Sequence, residues 1–259
     1  MSFFKKIFSR KNDDVKADVQ KQQEKSGQDL SFHIPGKQLP TPEDVMDLED
    51  IWDVYQQERI RGKQQDFIPV LIYGNEDLLD TLQEEFKNGT AHLPLSPVAD
   101  GKVWLNEQYQ AYFSEDPERE HTLFSSDGRK SQGLHRFLSL QTALRFRKEM
   151  PLYLVEIPTV NPWEVFAWLP FGGWNDCPDS EDMMAVFQYW YEKYGAVPAC
   201  IGSDTLECIV SKPVSEADAI ALAKEQYAFC SDIVEQGMGS ISALAEELKQ
   251  STIWYFWWD

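Results

Sequence analysis

The 259-residue chain is long enough for one large domain or two smaller ones, since domains usually run ~100–200 residues. Its 42% hydrophobic content suffices for a packed core and excludes global disorder. The formal charge of -19 argues against nucleic-acid binding and favours basic protein partners or metal cations, although acidity that only maintains solubility is the alternative.

The first eleven residues, MSFFKKIFSRK, differ from the rest of the chain. Four apolar residues fall on one helical face: Phe3, Phe4, Ile7 and Phe8. The segment also has four basic residues and no acid: Lys5, Lys6, Arg10 and Lys11. This pattern predicts weak peripheral contact with an anionic membrane surface, and a frayed or docked terminus is the alternative. The polar residues that follow predict a flexible linker, so residues 1–37 form a basic amphipathic N-terminus and linker.

Residues 38–150 predict an N-terminal α/β region. A helix is expected after Thr41, a good N-cap, with Pro42 at its first position. FIPVLIYG at 67–74 predicts a buried strand, and the helix after Asn75 follows it without a glycine-rich phosphate loop, which argues against a nucleotide site. Residues 90–137 give only turn signals and scattered aromatics, and SLQTALRFRKEM then predicts a helix.

Residues 151–259 predict a C-terminal α+β domain. The expected elements, in order, are a strand in LYLVEIP, a helical turn in WEVFAW, a helix capped by Asp179 or Ser180, a hairpin in VPACIGSDTLECIVS, a long helix in SEADAIALAKEQYAFCSDIVEQG, a helix in SISALAEELKQ and the strand TIWYFWW. We therefore expect a small mixed or antiparallel sheet that is covered by helices, closed by the C-terminal aromatic strand and preceded by the α/β region.

The terminal strand is apolar on both faces. Trp254, Phe256 and Trp258 point to one side of an extended chain, and the residues between them point to the other. A strand that is apolar on both sides predicts an interior position covered by helices, with most of its aromatics in the core. An aromatic platform for sugar binding is the alternative.

Several motifs of this second half occur together in one order. They are GGWNDCP, YWYEKYGA, DTLE, EQYAFCSDIVEQG and the terminal WYFWWD. Together they resemble the bacterial domain-of-unknown-function family 4253, over roughly residues 150–259. The resemblance implies a bacterial intracellular protein, and it carries over no site residues because the family has no established activity.

The loop GGWNDCP is the first candidate for a site. Its two glycines permit a tight turn that presents Trp174, Asn175, Asp176 and Cys177. Asn175 and Asp176 would alternatively cap the following helix. Cys177 would alternatively be a nucleophile whose pKa is lowered near that helix N-terminus, although no histidine follows His135 to serve as its base.

Carboxylates form the second candidate. On the predicted long helix, Glu225 and Asp232 lie on one face, and Asp259 stands at the end of the last strand. We expect a polar pocket bordered by Trp174, Asn175, Asp176, Cys177, Glu225, Asp232 and Asp259. No cofactor is predicted, but the four carboxylates would bind Mg²⁺ or Ca²⁺ if they converge. A solvated acidic face is the alternative.

The four cysteines, Cys177, Cys200, Cys208 and Cys230, lack C-x-x-C or zinc spacing, and the four histidines are scattered. Reduced thiols and the lack of a secretory signal predict a cytoplasmic location, with peripheral contact at the inner membrane face through residues 1–11 as an addition.

Three functions are compatible with the sequence. The first is a protein-binding module, immunity-like in neutralising a toxin, that holds a basic partner on an acidic aromatic surface. The second is an enzyme with a carboxylate-based site, with or without a divalent metal, around the GGWNDCP loop. The third is a peripheral membrane adaptor. No nucleophile–base pair or phosphate loop is evident, which favours binding over catalysis.

Overall fold

The computed structural model describes residues 36–39, 48–73, 93–114, 117–125, 131–141, 152–169 and 171–259. All of them lie within one compact unit, His33–Asp259. The predicted membrane-contacting segment, residues 12–35 of the predicted linker, the cap at Thr41 and the helix after Asn75 lie outside the described residues. The last two residues of that linker, 36 and 37, instead belong to a strand.

The described residues form six strands and several helices. The strands are β1 Gly36–Leu39, β2 Ile68–Tyr73, β3 Leu152–Ile157, β4 Val197–Ile201, β5 Thr205–Ile209 and β6 Ile253–Trp257. The α-helices are α1 Leu48–Gln65, α2 Gly101–Phe113, α3 Pro117–Leu123, α4 Val165–Trp168, α5 Ser180–Tyr194, α6 Glu216–Phe229 and α7 Ile241–Leu248. A 3₁₀ turn, Pro162–Glu164, precedes α4, and a π-helix, Ile233–Met238, lies between α6 and α7. Within the described ranges, no helix has the length and apolarity needed to cross a membrane.

The six strands form one mixed sheet in the order β1-β3-β2-β4-β5-β6. The pair β2–β4 is parallel, and every other neighbouring pair is antiparallel. This arrangement confirms the predicted α+β class with a mixed sheet. Strands from both sides of residue 150 share the sheet, and whether residues 151–259 fold without β1 and β2 stays a prediction.

The position of β6 differs from the expectation of an interior strand. It pairs with β5 and is the last strand in the order of the described sheet. Its outer edge is nevertheless contacted at both ends, because the backbone N–H of Ile253 donates to the carbonyl of Leu134, and Cys230 Sγ donates to the carbonyl of Trp257. The two apolar faces of β6 therefore indicate that its side chains are buried on both sides of the sheet, not that it pairs with a strand at both edges.

The two faces of the sheet are packed by different parts of the chain. On one face, the ring of Trp190 in α5 stacks on Phe256 with centroids 5.6 Å apart, and Phe229 of α6 packs edge-on against Phe256 at 5.0 Å. We call this side, which also includes Trp254 and Trp258, the aromatic face. The opposite side, where Tyr55 of α1 and Phe137 join the core with residues of several strands, is called the polar face because it contains Thr205, Glu207 and Tyr255.

The predicted long helix is interrupted. Helix α6 ends at Phe229, and Cys230 follows with an extended backbone (φ -152, ψ 93) before the π-helix begins at Ile233. The expectation that Glu225 and Asp232 lie on one face of a single helix is therefore wrong. The apolar pattern of the sequence continues through this break, because Cys230 is buried like the helical residues before it. Periodicity therefore could not reveal where the helix ends.

Local capping agrees with the sequence for α5. The side chain of Asp179 accepts a hydrogen bond from the backbone N–H of Asp182, and Gly195 ends the helix with φ 72. Helix α2 was not predicted, although Asp100 caps it in the same way through the N–H groups of Lys102 and Val103. Asp100 followed by Gly101 could have indicated the start of this helix, but an Asp-Gly pair is equally typical of a turn.

Candidate functional site

The GGWNDCP loop is a tight turn held by its own backbone. The N–H of Gly173 donates to the carbonyls of Cys177 and Pro178, and the N–H of Cys177 donates to that of Trp174. Gly172 adopts φ +96, and a Cβ there would lie 1.9 Å from the Pro178 carbonyl oxygen, so only glycine fits. Asn175 also has a left-handed backbone, with φ 49, which asparagine tolerates better than most residues. The turn therefore points Asn175 and Asp176 outward.

Three distant segments meet at this turn. Asn175 Nδ2 donates to the main-chain oxygen of Asp259 at 2.7 Å, and the backbone N–H of Asp259 donates to Asp232 Oδ2 at 3.0 Å. The other oxygen of Asp232 accepts from Gln236 Nε2 at 2.9 Å. We call the pair of bonds at Asp259 the clamp. The structure thus brings Asn175, Asp232 and Asp259 together.

Aromatic side chains flank the clamp. Trp174 is half-buried and packs edge-on against Phe171 at 4.9 Å, and Phe171 in turn contacts Trp258 at 6.0 Å. Tyr112 of α2 is also half-buried. Burial raises its pKa, a hydrogen bond with Ser231 lowers it, and the negative charge of Asp176 raises it further.

Asp176 itself is exposed. Helix α5 is capped by Asp179, so the alternative in which Asn175 or Asp176 caps that helix is not what the structure shows. We call the surface that contains this side chain and its neighbours the loop face. It comprises Tyr112, Trp174, Asn175, Asp176, Asp232 and Asp259.

Glu225 belongs to a different cluster. Its carboxylate accepts hydrogen bonds from four groups of α5, which are Tyr189 Oη at 2.7 Å, Trp190 Nε1 at 3.1 Å, Lys193 Nζ at 3.2 Å and Tyr194 Oη at 3.4 Å. Lys193 Nζ also lies 4.7 Å from the ring centre of Tyr194. These contacts join α6 to α5, so both oxygens of Glu225 are already engaged and the residue acts as a structural tie.

Cys177 is buried beneath the turn. Its side chain is 5% exposed, and burial is the largest of the causes that raise the pKa of its thiol, followed by the nearby Cys230. A raised pKa disfavours the thiolate that a nucleophile requires. The geometry therefore gives Cys177 a packing role under the loop.

The four carboxylates considered as metal ligands do not form one group. Asp232 and Asp259 meet through a backbone N–H, whereas Glu225 is held by α5. In the part of the chain that the structure describes, no cluster of three or more His, Cys, Asp or Glu side chains is arranged to hold a metal ion. The break at Cys230 is the physical reason, because it separates Asp232 from the helix that carries Glu225.

Glu207 lies on the second strand of the predicted hairpin, and its burial was not anticipated from the sequence. The residue is 0% exposed on the polar face, where its carboxylate accepts from the backbone N–H groups of Leu138 at 2.6 Å and Ser139 at 3.2 Å and from the Ser139 hydroxyl. Burial raises the pKa of Glu207 to about 7, against the opposing effect of these hydrogen bonds. A single acid within an apolar strand was the only available signal.

Residues 153–259 match the model of the family described as "Domain of unknown function (DUF4253)". The match confirms the resemblance inferred from the motifs, and bacterial origin stays a prediction. No curated protein and no solved structure matches the sequence. The DUF4253 segment contains every predicted site residue, whereas Tyr112 of the loop face lies outside it. The loop face thus combines this segment with the preceding region.

Proposed function

We propose that the chain is a protein-binding module that holds a basic protein partner at the loop face, in an immunity-like role. The observation that carries the proposal is the clamp, which fixes the distinctive loop to the end of β6. It presents the exposed carboxylate of Asp176 beside two half-buried aromatic rings, those of Trp174 and Tyr112. Aromatic anchors beside charge are typical of the residues that dominate protein–protein affinity.

The distribution of charge supports a basic partner. Six basic side chains are already paired with acids of this chain: Arg61 with Glu58 and Glu156, Arg119 with Glu235, Arg136 with Glu49, Lys193 with Glu225, Lys224 with Glu120, and Lys249 with Glu216 and Glu246. Since the chain has 43 acidic and 24 basic residues, an excess of negative charge remains for solvent and partners after such pairing. Between residues 171 and 182 there are four acids and no base: Asp176, Asp179, Glu181 and Asp182.

Each component of the loop face has a separate role in this proposal. The excess of acids speeds encounter with a basic protein, and this contribution weakens as salt screens it. Trp174 and Tyr112 supply apolar contact area, which salt does not weaken in the same way. Asn175 and Asp232 act indirectly, since their side chains hold the backbone of Asp259 and thereby the position of the loop.

The test uses an octa-arginine peptide as the probe and the full chain labelled with ¹⁵N. We expect the largest shifts at Trp174, Asn175 and Asp176, and at least threefold weaker binding for Asp176→Asn. Asp53→Asn is the matched control, because Asp53 is an exposed acid on α1, which packs on the opposite side of the sheet. If both variants lose the same affinity, or if the shifts spread evenly over the acidic surface, the loop face is not the binding site.

The immunity-like role is a narrower claim with its own test. The chain is co-expressed with the product of the neighbouring gene, and growth of the cells is compared with and without it. We expect rescue of growth by the wild-type chain and by Asp53→Asn, and loss of rescue by Trp174→Ala combined with Asp176→Asn. A neighbouring product that is not toxic, or rescue that survives the double substitution, overturns the immunity-like role at this surface.

A further inference from the structure

Residues 131–141 cross the polar face beside β5 and β6, and we call them the strap. Their first anchor is at the start of β6. The N–H groups of Thr252 and Ile253 both donate to the carbonyl of Leu134, at 2.9 and 3.0 Å. The N–H of Leu134 donates in return to Ser251 Oγ at 2.8 Å. This end of the strap is therefore held by neutral groups.

The second anchor is a single carboxylate. Glu207 of β5 accepts from the N–H of Leu138, the N–H of Ser139 and the hydroxyl of Ser139, and these are the strap's contacts with that acid. Three donors converge on a side chain that is completely buried. A buried charge depends on such donors in place of water. The strap therefore supplies the hydrogen bonds that stabilise the Glu207 carboxylate while residues 138 and 139 lie on β5, an arrangement that we call the closed state.

Within the described parts of the chain, the groups that act on Glu207 do not include a compensating cation. Its charge acts on Tyr73 of β2, Cys200 of β4, Cys208 of β5 and Tyr255 of β6, and the pKa of each of these four groups is raised, chiefly by burial, so that all stay neutral near neutral pH. Asp204 adds a second negative charge near Tyr73 and Tyr255. From α1, the charge of Arg59 acts on Tyr55, whose pKa is raised. Among the described residues, no ion pair joins Glu207 to a base.

We propose that Glu207 is a pH-sensitive latch that holds the Leu138–Ser139 end of the strap on β5 and loses a proton to solvent when that end opens. In the closed state the carboxyl group is desolvated, which favours its protonated form. In the open state water hydrates the carboxylate, which favours its ionised form. Opening therefore becomes easier as pH rises.

The shift in the acid's titration supports this direction. Burial raises the pKa of Glu207 from 4.5 to about 7, whereas an exposed carboxyl returns toward the lower value. Linkage between these two values raises the opening equilibrium on the order of 50-fold between pH 5 and pH 8. The latch shares no residue with the loop face, so its test does not depend on the proposed function.

Amide hydrogen exchange on the full chain tests the latch. The exchange rates of Leu138 and Ser139 are measured from pH 5 to pH 8 and corrected for intrinsic exchange, and the amide of Phe256 reports global unfolding. We expect the protection factors of Leu138 and Ser139 to fall on the order of 50-fold over this range, with opening more frequent than at Phe256. Equal protection at all three amides, or protection that is flat with pH, overturns the proposal.

Two variants separate the latch from a general effect of pH. Glu207→Gln cannot titrate and is expected to abolish the pH dependence at Leu138 and Ser139. Glu164→Gln is the matched control, because Glu164 is also a buried glutamate, with Thr159 and Asn161 as donors, and it should leave the dependence unchanged. If Glu207→Gln does not fold, a ¹³C titration of the Glu207 carboxyl group in the wild-type chain decides, since titration near its unperturbed value contradicts the latch.

Discussion

The two faces of the sheet reach a similar degree of burial by different chemistry. The aromatic face is assembled from rings, and Trp190 alone contacts Phe187, Phe229, Trp254 and Phe256 with centroids 5.0–5.7 Å apart. On the polar face, apolar residues such as Tyr55 and Phe137 share the interior with the carboxyl group of Glu207. The first face depends on shape and area, and the second depends on hydrogen bonds.

This difference predicts different responses to mutation and to pH. Ring packing carries no titrating charge near neutral pH, so its contribution to stability should change little with pH. A buried carboxyl group makes stability depend on pH, because its protonated form is favoured in the folded state. The four predictions below separate the two faces, in order of decreasing effect.

Removal of residues 254–259 should have the largest effect. It deletes most of β6 together with the buried rings of Trp254, Phe256 and Trp258, each worth about 1.5–3 kcal/mol of burial. The summed loss is a large part of a typical folding free energy, so we expect insoluble or molten protein. Near-UV circular dichroism and dye binding check this expectation. A shortened chain with unchanged thermal unfolding would show that β6 is dispensable.

Substitution of one ring on the aromatic face should cost less. Trp190→Ala removes a fully buried side chain, and we expect the free energy of unfolding to fall by about 3–5 kcal/mol in urea denaturation. Tyr191→Ala, at the neighbouring position, is the control, since that side chain is 39% exposed and should cost no more than about 1 kcal/mol. Equal losses for the two variants would contradict the central place of Trp190 in the packing.

On the polar face, Glu207→Gln should change the pH dependence of unfolding. The folded pKa of about 7 lies above the unfolded value of 4.5, so this residue's contribution is fully present below pH 4.5 and is lost as pH rises through 7. Glutamine does not titrate. The variant should therefore gain up to about 3 kcal/mol relative to the wild-type chain between pH 4.5 and pH 8. A stability difference that stays constant over this range would rule the effect out.

The smallest effect is expected at the turn where the aromatic face ends. Asn175→Ala loses the hydrogen bond to Asp259 and keeps an unfavourable left-handed backbone, so we expect a loss of about 1–2 kcal/mol. Asn175→Gly loses the same bond but tolerates the backbone, and it should cost about 1 kcal/mol less than alanine. Thermal unfolding compares the two, and equal losses would mean that the backbone conformation does not matter.

Elements with strong local signals were predictable. The cap of α5 at Asp179, its end at Gly195, the hairpin of β4 and β5, and the aromatic strand β6 all follow from residue types within a few positions of one another. The GGWNDCP turn is of the same kind, because its glycines and Asn175 specify backbone conformations that other residues rarely adopt. Local sterics and hydrogen bonds decide these features without help from the rest of the fold.

The candidate site was predictable only in part. Trp174, Asn175, Asp176 and Asp259 were grouped from their motifs, and the clamp unites Asn175 with Asp259. Glu225 was added on the assumption of a continuous helix, which the extended backbone of Cys230 disproves. Tyr112 was not expected at all, since it lies in a region where α2 went unpredicted.

The sequence by itself determined the class of the fold, most element boundaries in its second half and the resemblance confirmed by the DUF4253 match. Only the tertiary structure decided that β6 is last in the described sheet, that Glu207 is buried beneath the strap and that Asp232 holds Asp259. The reason is physical. Periodicity reports which side chains avoid water, whereas strand order and the environment of one carboxylate depend on contacts between residues far apart in the chain.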